Sequence, residues 1–132
     1  MKKIFITSQY PGESVKRLLE KFDVVVYPKP TLPTAMELLD NARDSAALIT
    51  TVADIVDKKL IDLCPDLKIV SNSGVGYENV DIPYATEKGI LVTNTPNVLT
   101  ETSADLAWEL MFSVERRIIE PDTDEREGNF TC

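Results

Sequence analysis

Five short runs rich in Ile, Val and Leu recur along the chain, each separated from the next by just enough residues for a helix. They are residues 3–7 (KIFIT), 23–27 (DVVVY), 46–50 (AALIT), 67–72 (LKIVSN) and 90–94 (ILVTN). Each run is nearly continuous in apolar residues instead of alternating, which is the pattern of strands covered on both faces. Between them lie segments of helical spacing. In 13–22, Val15, Leu18, Leu19 and Phe22 share a face, and in 33–42, Ala35, Met36, Leu38 and Leu39 do the same. Segments 56–64 and 82–89 follow, the latter closing on Gly89, a common helix stop. Strand and helix therefore alternate from one end to residue 94, and parallel strands joined by helices cross over right-handedly. The expected class is α/β: a doubly wound, five-stranded parallel sheet of flavodoxin-like order 2-1-3-4-5.

A long helix is expected after the fifth strand, from Thr100 as N-cap to about Glu120, with Glu101 and Asp105 at the positive end of its dipole and Pro121 as the stop. Its polar stripe (Asp105, Glu109, Ser113, Arg116, Glu120) spans about 80° at 100° per residue, and apolar residues fill roughly 240°, far more than one sheet requires. Glu115 falls inside that apolar arc. The expected organisation is a sheet domain over 1–99, the helix over 100–120, in contact with two partners, and an acidic tail over 121–132.

Charge supports that division. Residues 1–99 carry 13 acidic and 11 basic side chains, and residues 100–132 carry 9 and 3, within a chain total of -8. Such a balance repels phosphate backbones and anionic membranes, so neither nucleic acid nor membrane is an expected partner. No apolar run approaches the ~20 residues of a membrane span, and the first residues are too short in apolar length for a signal peptide, so a cytoplasmic location is expected. Two cysteines and no histidine provide neither a disulfide framework nor a metal cluster. Cys64 reads as a core residue and Cys132 as a free terminal thiol, with no metal expected.

The stretch SNSGVGYENVD, residues 71–81, places two glycines straight after the fourth apolar run. A dinucleotide fingerprint needs a third glycine opening a helix and an acid about 20 residues further on. Here Gly74-Val75-Gly76-Tyr77-Glu78 runs into Asn79, and the third glycine is missing. Two readings remain. Gly74 and Gly76 either remove bulk so that backbone N–H groups can hold a small anion such as a carboxylate, or merely provide the positive φ of a tight turn.

The runs GVGYENVD, ATEKGILVTNTP and VLTETSADLAWELM, with the strands ahead of them, resemble the N-terminal part of the D-isomer-specific 2-hydroxyacid dehydrogenases over residues 1–120, the glyoxylate and hydroxypyruvate reductase group in particular. The resemblance implies a substrate-binding, flavodoxin-like domain. It implies that the backbone at Val75 and Gly76, beside Gly74, holds a substrate carboxylate, that Thr51 and Val52 line the same cleft, and that Thr100 faces the nicotinamide end of the cofactor. It also implies that NAD(P) is bound by a second domain whose glycine-rich loop follows the long helix, and that the catalytic histidine, glutamate and arginine come from that part. No catalytic residue is then expected in this chain, nor any cofactor held by it alone, and a 2-keto or 2-hydroxy acid would bind at most weakly.

The resemblance weakens from about residue 109 onward. Glu109 and Glu115 stand where alanine-like residues are expected, and Thr123, Asp124 and Glu125 stand where an aromatic and a β-branched residue are expected. This suits a domain excised from a dehydrogenase and adapted to stand alone, by design; a natural truncated relative or a plain fragment is the alternative. Without a second domain the 100–120 helix would fold back as a fifth helix or dock on another copy, giving a homodimer, either side by side or domain-swapped. Two further functions are compatible with such a fold. A flavin- or phosphate-binding module would use Thr7, Ser8, Gly12 and Ser14, although Pro11 removes a donor there; an inert scaffold or interaction domain would use none of these. A phospho-receiver domain is disfavoured, since no paired acids follow the first strand and no lysine follows the fifth.

Overall fold

The computed structural model describes residues 1–129; Cys132, expected to be a free thiol, lies outside the described residues. Two compact units divide the chain, 1–96 and 97–132.

The first unit is a five-stranded parallel sheet in the expected order, β2-β1-β3-β4-β5. The strands are β1 (Lys3–Ile6), β2 (Asp23–Val26), β3 (Ala47–Thr51), β4 (Ile69–Ser73) and β5 (Leu91–Thr93). The connecting helices are α1 (Ser14–Leu19), α2 (Ala35–Ala42), α3 (Lys58–Asp62) and α4 (Ile82–Glu87). Register brings Thr51 beside Ser73 and Ser71 beside Thr93, so the carboxyl ends of β3, β4 and β5 lie side by side. That edge is where open α/β sheets carry their ligands.

The near-continuous apolar runs are less evenly covered than expected. Leu48 and Thr50 of β3 and Val70 and Asn72 of β4 are buried, whereas Ala47, Ile49, Ile69 and Ser71 on the opposite face are half-buried. Phe5, Leu60, Val56 and Val80 join the buried face to α3 and α4 in one core. Across the other face runs a groove of ≈ 420 Å³, bordered by Leu18 and Phe22 at α1 and floored by Ala47, Ile49, Ile69 and Ser71.

Helix ends follow local chemistry. Asp57 and Asp81 cap α3 and α4 by accepting from Leu60 N and Tyr84 N, at 2.9 and 3.0 Å. α4 ends as its sequence suggests: Gly89 has φ +68°, and Ile90 N reaches back to Ala85 O, a closure that glycine makes without strain. Thr34 and Glu37 form a capping box on α2. The Glu37 carboxylate also takes a hydrogen bond from Lys29, which together with the cap pulls its pKa down to about 2. Cys64 is buried against Ala42 O, and burial pushes its thiol up to about 11, so it behaves as a core side chain.

The second unit departs from the single helix expected over 100–120. α5 covers Thr100–Glu115, and α6 covers Ile119–Arg126. The break is a Schellman closure with Arg117 at φ +52°: Ile118 N donates to Ser113 O and Arg117 N to Val114 O. Pro121 does not stop the chain, because as the third residue of α6 it needs no N–H. Part of the expected acidic tail is therefore helical. At the other end the N-cap is Leu99, with no side-chain capping bond, and Thr100 is the first helical residue instead of the cap. The apolar arc is exposed at Leu106, Trp108, Leu110, Met111 and Phe112, where Trp108 and Phe112 stack at 5.8 Å between centroids. No described helix is long and apolar enough to cross a membrane.

The depressed Glu37 carboxyl fixes the sign of one pH effect. A folded-state pKa below the unfolded value of about 4.3 contributes stability at higher pH that is lost as pH falls through the folded value. Thermal unfolding of the chain should therefore lose stability from about pH 4.3 toward pH 2, and Glu37→Ala should flatten that part of the profile. An equally steep decline in the variant would disprove the assignment.

Candidate functional site

The glycine loop, 74–79, leaves β4 at the carboxyl edge of the sheet, between the loop that follows β3 and the end of β5. Its conformation settles what the two glycines are for. Neither Gly74 nor Gly76 has positive φ, so the turn-only reading does not hold. The αR-αL form of an anion nest is absent for the same reason. Gly74 is needed for space instead: a Cβ there would collide with Val52 Cγ1, so the β3 loop packs onto bare backbone. A Cβ on Gly76 would meet only the Glu78 carboxylate, at 2.6 Å, which places an acid at the rim of the loop.

Three consecutive carbonyls of the loop are held by the protein. Thr95 N donates to Gly74 O at 2.9 Å, Asn94 Nδ2 to Val75 O at 2.8 Å and Asn72 Nδ2 to Gly76 O at 2.8 Å. Among the described residues no acceptor takes the N–H of Val75 or of Gly76. Backbone donors left unpaired at a partly exposed edge are available to a ligand. A carboxylate needs only such donors, and the hydrogen bonds to it are charge-assisted.

Beneath the loop is a polar core that sequence reasoning missed. Asn72 is fully buried on β4 and faces Asn79, each side-chain amide donating to the other's oxygen at 3.2 Å. Thr50 Oγ1 adds a bond to Asn72 Oδ1 at 3.1 Å. Asn79 Nδ2 also reaches Thr51 O and Asp54 O, at 3.2 and 2.8 Å, joining the glycine loop to the β3 loop. Asp54, buried in turn, accepts at Oδ2 from Thr7 Oγ1 (2.6 Å), Thr51 N (2.7 Å) and Thr51 Oγ1 (2.9 Å). A signal was present in the sequence: Asn72 lies two residues after Val70, on the same face of β4, so a buried amide needing partners could have been read from the strand's period.

Of the residues singled out in the sequence, Val52, Gly74, Val75 and Gly76 come together here. Thr51 ends β3, with its hydroxyl committed to Asp54. Thr100 belongs to the second unit, at the start of α5. The phosphate-loop alternative loses its first residue, because Thr7 is buried with its hydroxyl donated to Asp54 Oδ2. Gly12 has φ +89° with open space around it, and α1 opens at Ser14 behind an N-cap, Glu13, that makes no side-chain capping bond. Among the described residues no group of three His, Cys, Asp or Glu side chains could hold a metal.

The model of the D-isomer specific 2-hydroxyacid dehydrogenase catalytic domain matches residues 4–123. The chain belongs to this family. Over 128 residues it is 44% identical to a glyoxylate reductase of Thermococcus litoralis and 42% identical to one of Thermococcus kodakarensis. These alignments take in 97% of this chain but only 39% and 38% of those enzymes, so it spans about two-fifths of the length of its dehydrogenase relatives. A solved protein from Thermus thermophilus superposes with TM-score 0.88 at 37% identity, over 98% of this chain and 42% of that one. A glyoxylate/hydroxypyruvate reductase of Sinorhizobium meliloti, solved with NADP and malonate, superposes with TM-score 0.72 at 32% identity, over 97% and 39%.

Close packing of Val52 on Gly74 gives this dehydrogenase domain a testable joint. Gly74→Ala should cost about 1–3 kcal/mol by forcing Val52 away, and Val52→Ala should recover most of that loss in the double variant. Chemical denaturation of the four-member cycle reads the coupling; additive effects would mean that the two residues do not touch in solution.

Proposed function

We propose that this chain is the substrate-binding domain of a D-2-hydroxyacid dehydrogenase, in which the Val75 and Gly76 amides hold the carboxylate of a small 2-keto or 2-hydroxy acid. The observation that carries this is one loop in which the carbonyls of Gly74, Val75 and Gly76 are engaged while the Val75 and Gly76 N–H groups, like those of Tyr77, Glu78 and Asn79, have no acceptor among the described residues. Val52 and Gly74 form the adjoining wall, and Thr51 lies behind it. The dicarboxylate found with the Sinorhizobium meliloti reductase supports an acid as the ligand class. The flavin or phosphate alternative has less support, since Thr7 is committed elsewhere.

Reduction of a keto acid also needs a hydride donor and a proton donor near neutral pH. With no histidine in the sequence, this span has no side chain suited to the second task by its ordinary pKa. NAD(P) and the catalytic Arg, Glu and His belong in this reading to the remainder of a full-length enzyme, with Thr100 directed to the nicotinamide. The chain alone binds substrate weakly and does not turn it over; an inert scaffold is the competing reading.

An amide-resolved NMR titration of the chain with glyoxylate should shift Val75 and Gly76 first, with a dissociation constant on the order of millimolar. Glu78→Gln should tighten binding about two- to threefold, because a like charge at an exposed rim costs roughly 0.5 kcal/mol. Glyoxylate with NADH or NADPH should leave the nicotinamide unoxidised. Shifts confined to other loops, or none at all, would remove the carboxylate assignment, and nicotinamide oxidation would remove the non-catalytic one.

We also infer self-association through α5, whose exposed apolar side chains form a patch of the kind found at protein interfaces. Glu109, Glu115, Asp124 and Glu125 are exposed and keep part of the same unit compatible with water, as a segment adapted to stand alone by design would need. Light scattering should report a concentration-dependent dimer, and reverting Glu115, Asp124 and Glu125 to Ala, Phe and Val should drive larger aggregates. A monomer at every concentration would exclude the dimer, and unchanged dispersity after reversion would exclude the adaptation.

A further inference from the structure

Each carbonyl of the glycine loop belongs to the same peptide unit as the N–H of the following residue. In a trans peptide the two point in opposite directions, and no cis bond occurs among the described residues. Holding a carbonyl therefore aims the next amide. Thr95 N, on Gly74 O, aims the Val75 amide; Asn94 Nδ2, on Val75 O, aims the Gly76 amide; Asn72 Nδ2, on Gly76 O, aims the Tyr77 amide.

These three holds differ in how firmly the fold imposes them. Thr95 acts through its backbone, and Asn72 is buried within the core pair with Asn79. Asn94 acts through a half-buried side chain just beyond β5, across a solvent-exposed hydrogen bond 19 residues distant in sequence. Gly76, with no side chain of its own, offers little steric resistance to a turn of the Val75–Gly76 peptide. We propose that Asn94 is a positioning residue that sets the direction of the Gly76 amide toward the carboxylate site. This rests on the reading of the loop as a carboxylate grip. It ties β5 to the ligand through one side-chain amide, and it predicts that an acid at this position works against binding, since a carboxylate can only repel the Val75 carbonyl.

The test uses the complete chain with Asn94→Ala and Asn94→Asp. Without ligand, 15N relaxation should show Gly76 losing order in both variants, while Val75, aimed through Thr95 N, and the strand amides keep theirs. With glyoxylate, Asn94→Ala should raise the dissociation constant about tenfold, the scale of one lost hydrogen bond of this kind. Asn94→Asp should bind more weakly still at neutral pH. Relative to the wild-type chain, which carries the same Glu78 beside the loop, it should recover as pH falls through the aspartic acid range near ~4, where a protonated carboxyl can again donate to Val75 O. A merely structural role for Asn94 would produce no such recovery. Unchanged Gly76 order in Asn94→Ala overturns the proposal whether or not a ligand binds. Failure of the wild-type chain to bind glyoxylate overturns the carboxylate reading instead, and leaves the ligand-free relaxation to decide on Asn94.

Discussion

Two asparagine amides, Asn72 and Asn79, meet inside the carboxyl end of the sheet, and the shape of the candidate site depends on that pair. A buried primary amide offers two donors and an oxygen that accepts twice, and each left unmade is costly. Asn72 gives its hydrogens to Gly76 O and Asn79 Oδ1 and accepts from Thr50 Oγ1, while Asn79 Nδ2, whose two hydrogens are shared among three acceptors, lies 3.2 Å from the same oxygen. Asn79 carries the network to the carbonyls of Thr51 and Asp54. Buried polar groups satisfied this completely admit few alternative arrangements, so two loops that follow different strands are locked in register with each other. The backbone reinforces the lock where Val56 and Val80 pair in parallel, with Val56 N on Asn79 O and Asp81 N on Val56 O.

That lock explains how a loop with no basic residue can still be a site for an acid. Loop carbonyls facing a ligand would oppose an anion as strongly as loop amides would favour it. Here the carbonyls of Gly74, Val75 and Gly76 are all turned to protein donors, which leaves the amides of Val75 and Gly76 free. Preorganised donors cost no reorganisation when a charge arrives. The remaining opposition is Glu78, at the exposed rim, where water and salt screen it.

Much of the architecture was legible because it follows from repetition. Apolar runs with helical segments between them leave a parallel sheet as the economical solution, and crossover handedness reduces the possible orders. Gly89 acts locally, so its role can be read from its neighbours. What could not be read depended on distant partners or on competition between signals. The uneven cover of the two sheet faces is set by the packing of helices and cannot be seen within a strand. Pro121 looked like a helix stop, yet the chain had already turned at Arg117, a non-glycine residue in a left-handed conformation that its sequence does not advertise. Thr100 looked like a cap because threonine favours that position. The helix nevertheless begins one residue earlier, with Leu99 as its cap.

The site was legible by a different route and only in part. Val52, Gly74, Val75 and Gly76 were named through resemblance, and the structure adds physical relations that the resemblance did not contain: Gly74 makes room for Val52, and the carbonyl ahead of the Gly76 amide is held by Asn94, just beyond β5. Asn72, Asn79, Asp54 and Asn94 escaped notice because polar residues beside a glycine loop look like ordinary loop composition. They differ from it in where their hydrogen bonds end. Each terminates on the backbone of one of the two facing loops, or on a side chain that does. In the proposed reading, N–H groups held that way recognise a carboxylate by their spacing, and discrimination among acids falls to whatever meets the rest of the molecule.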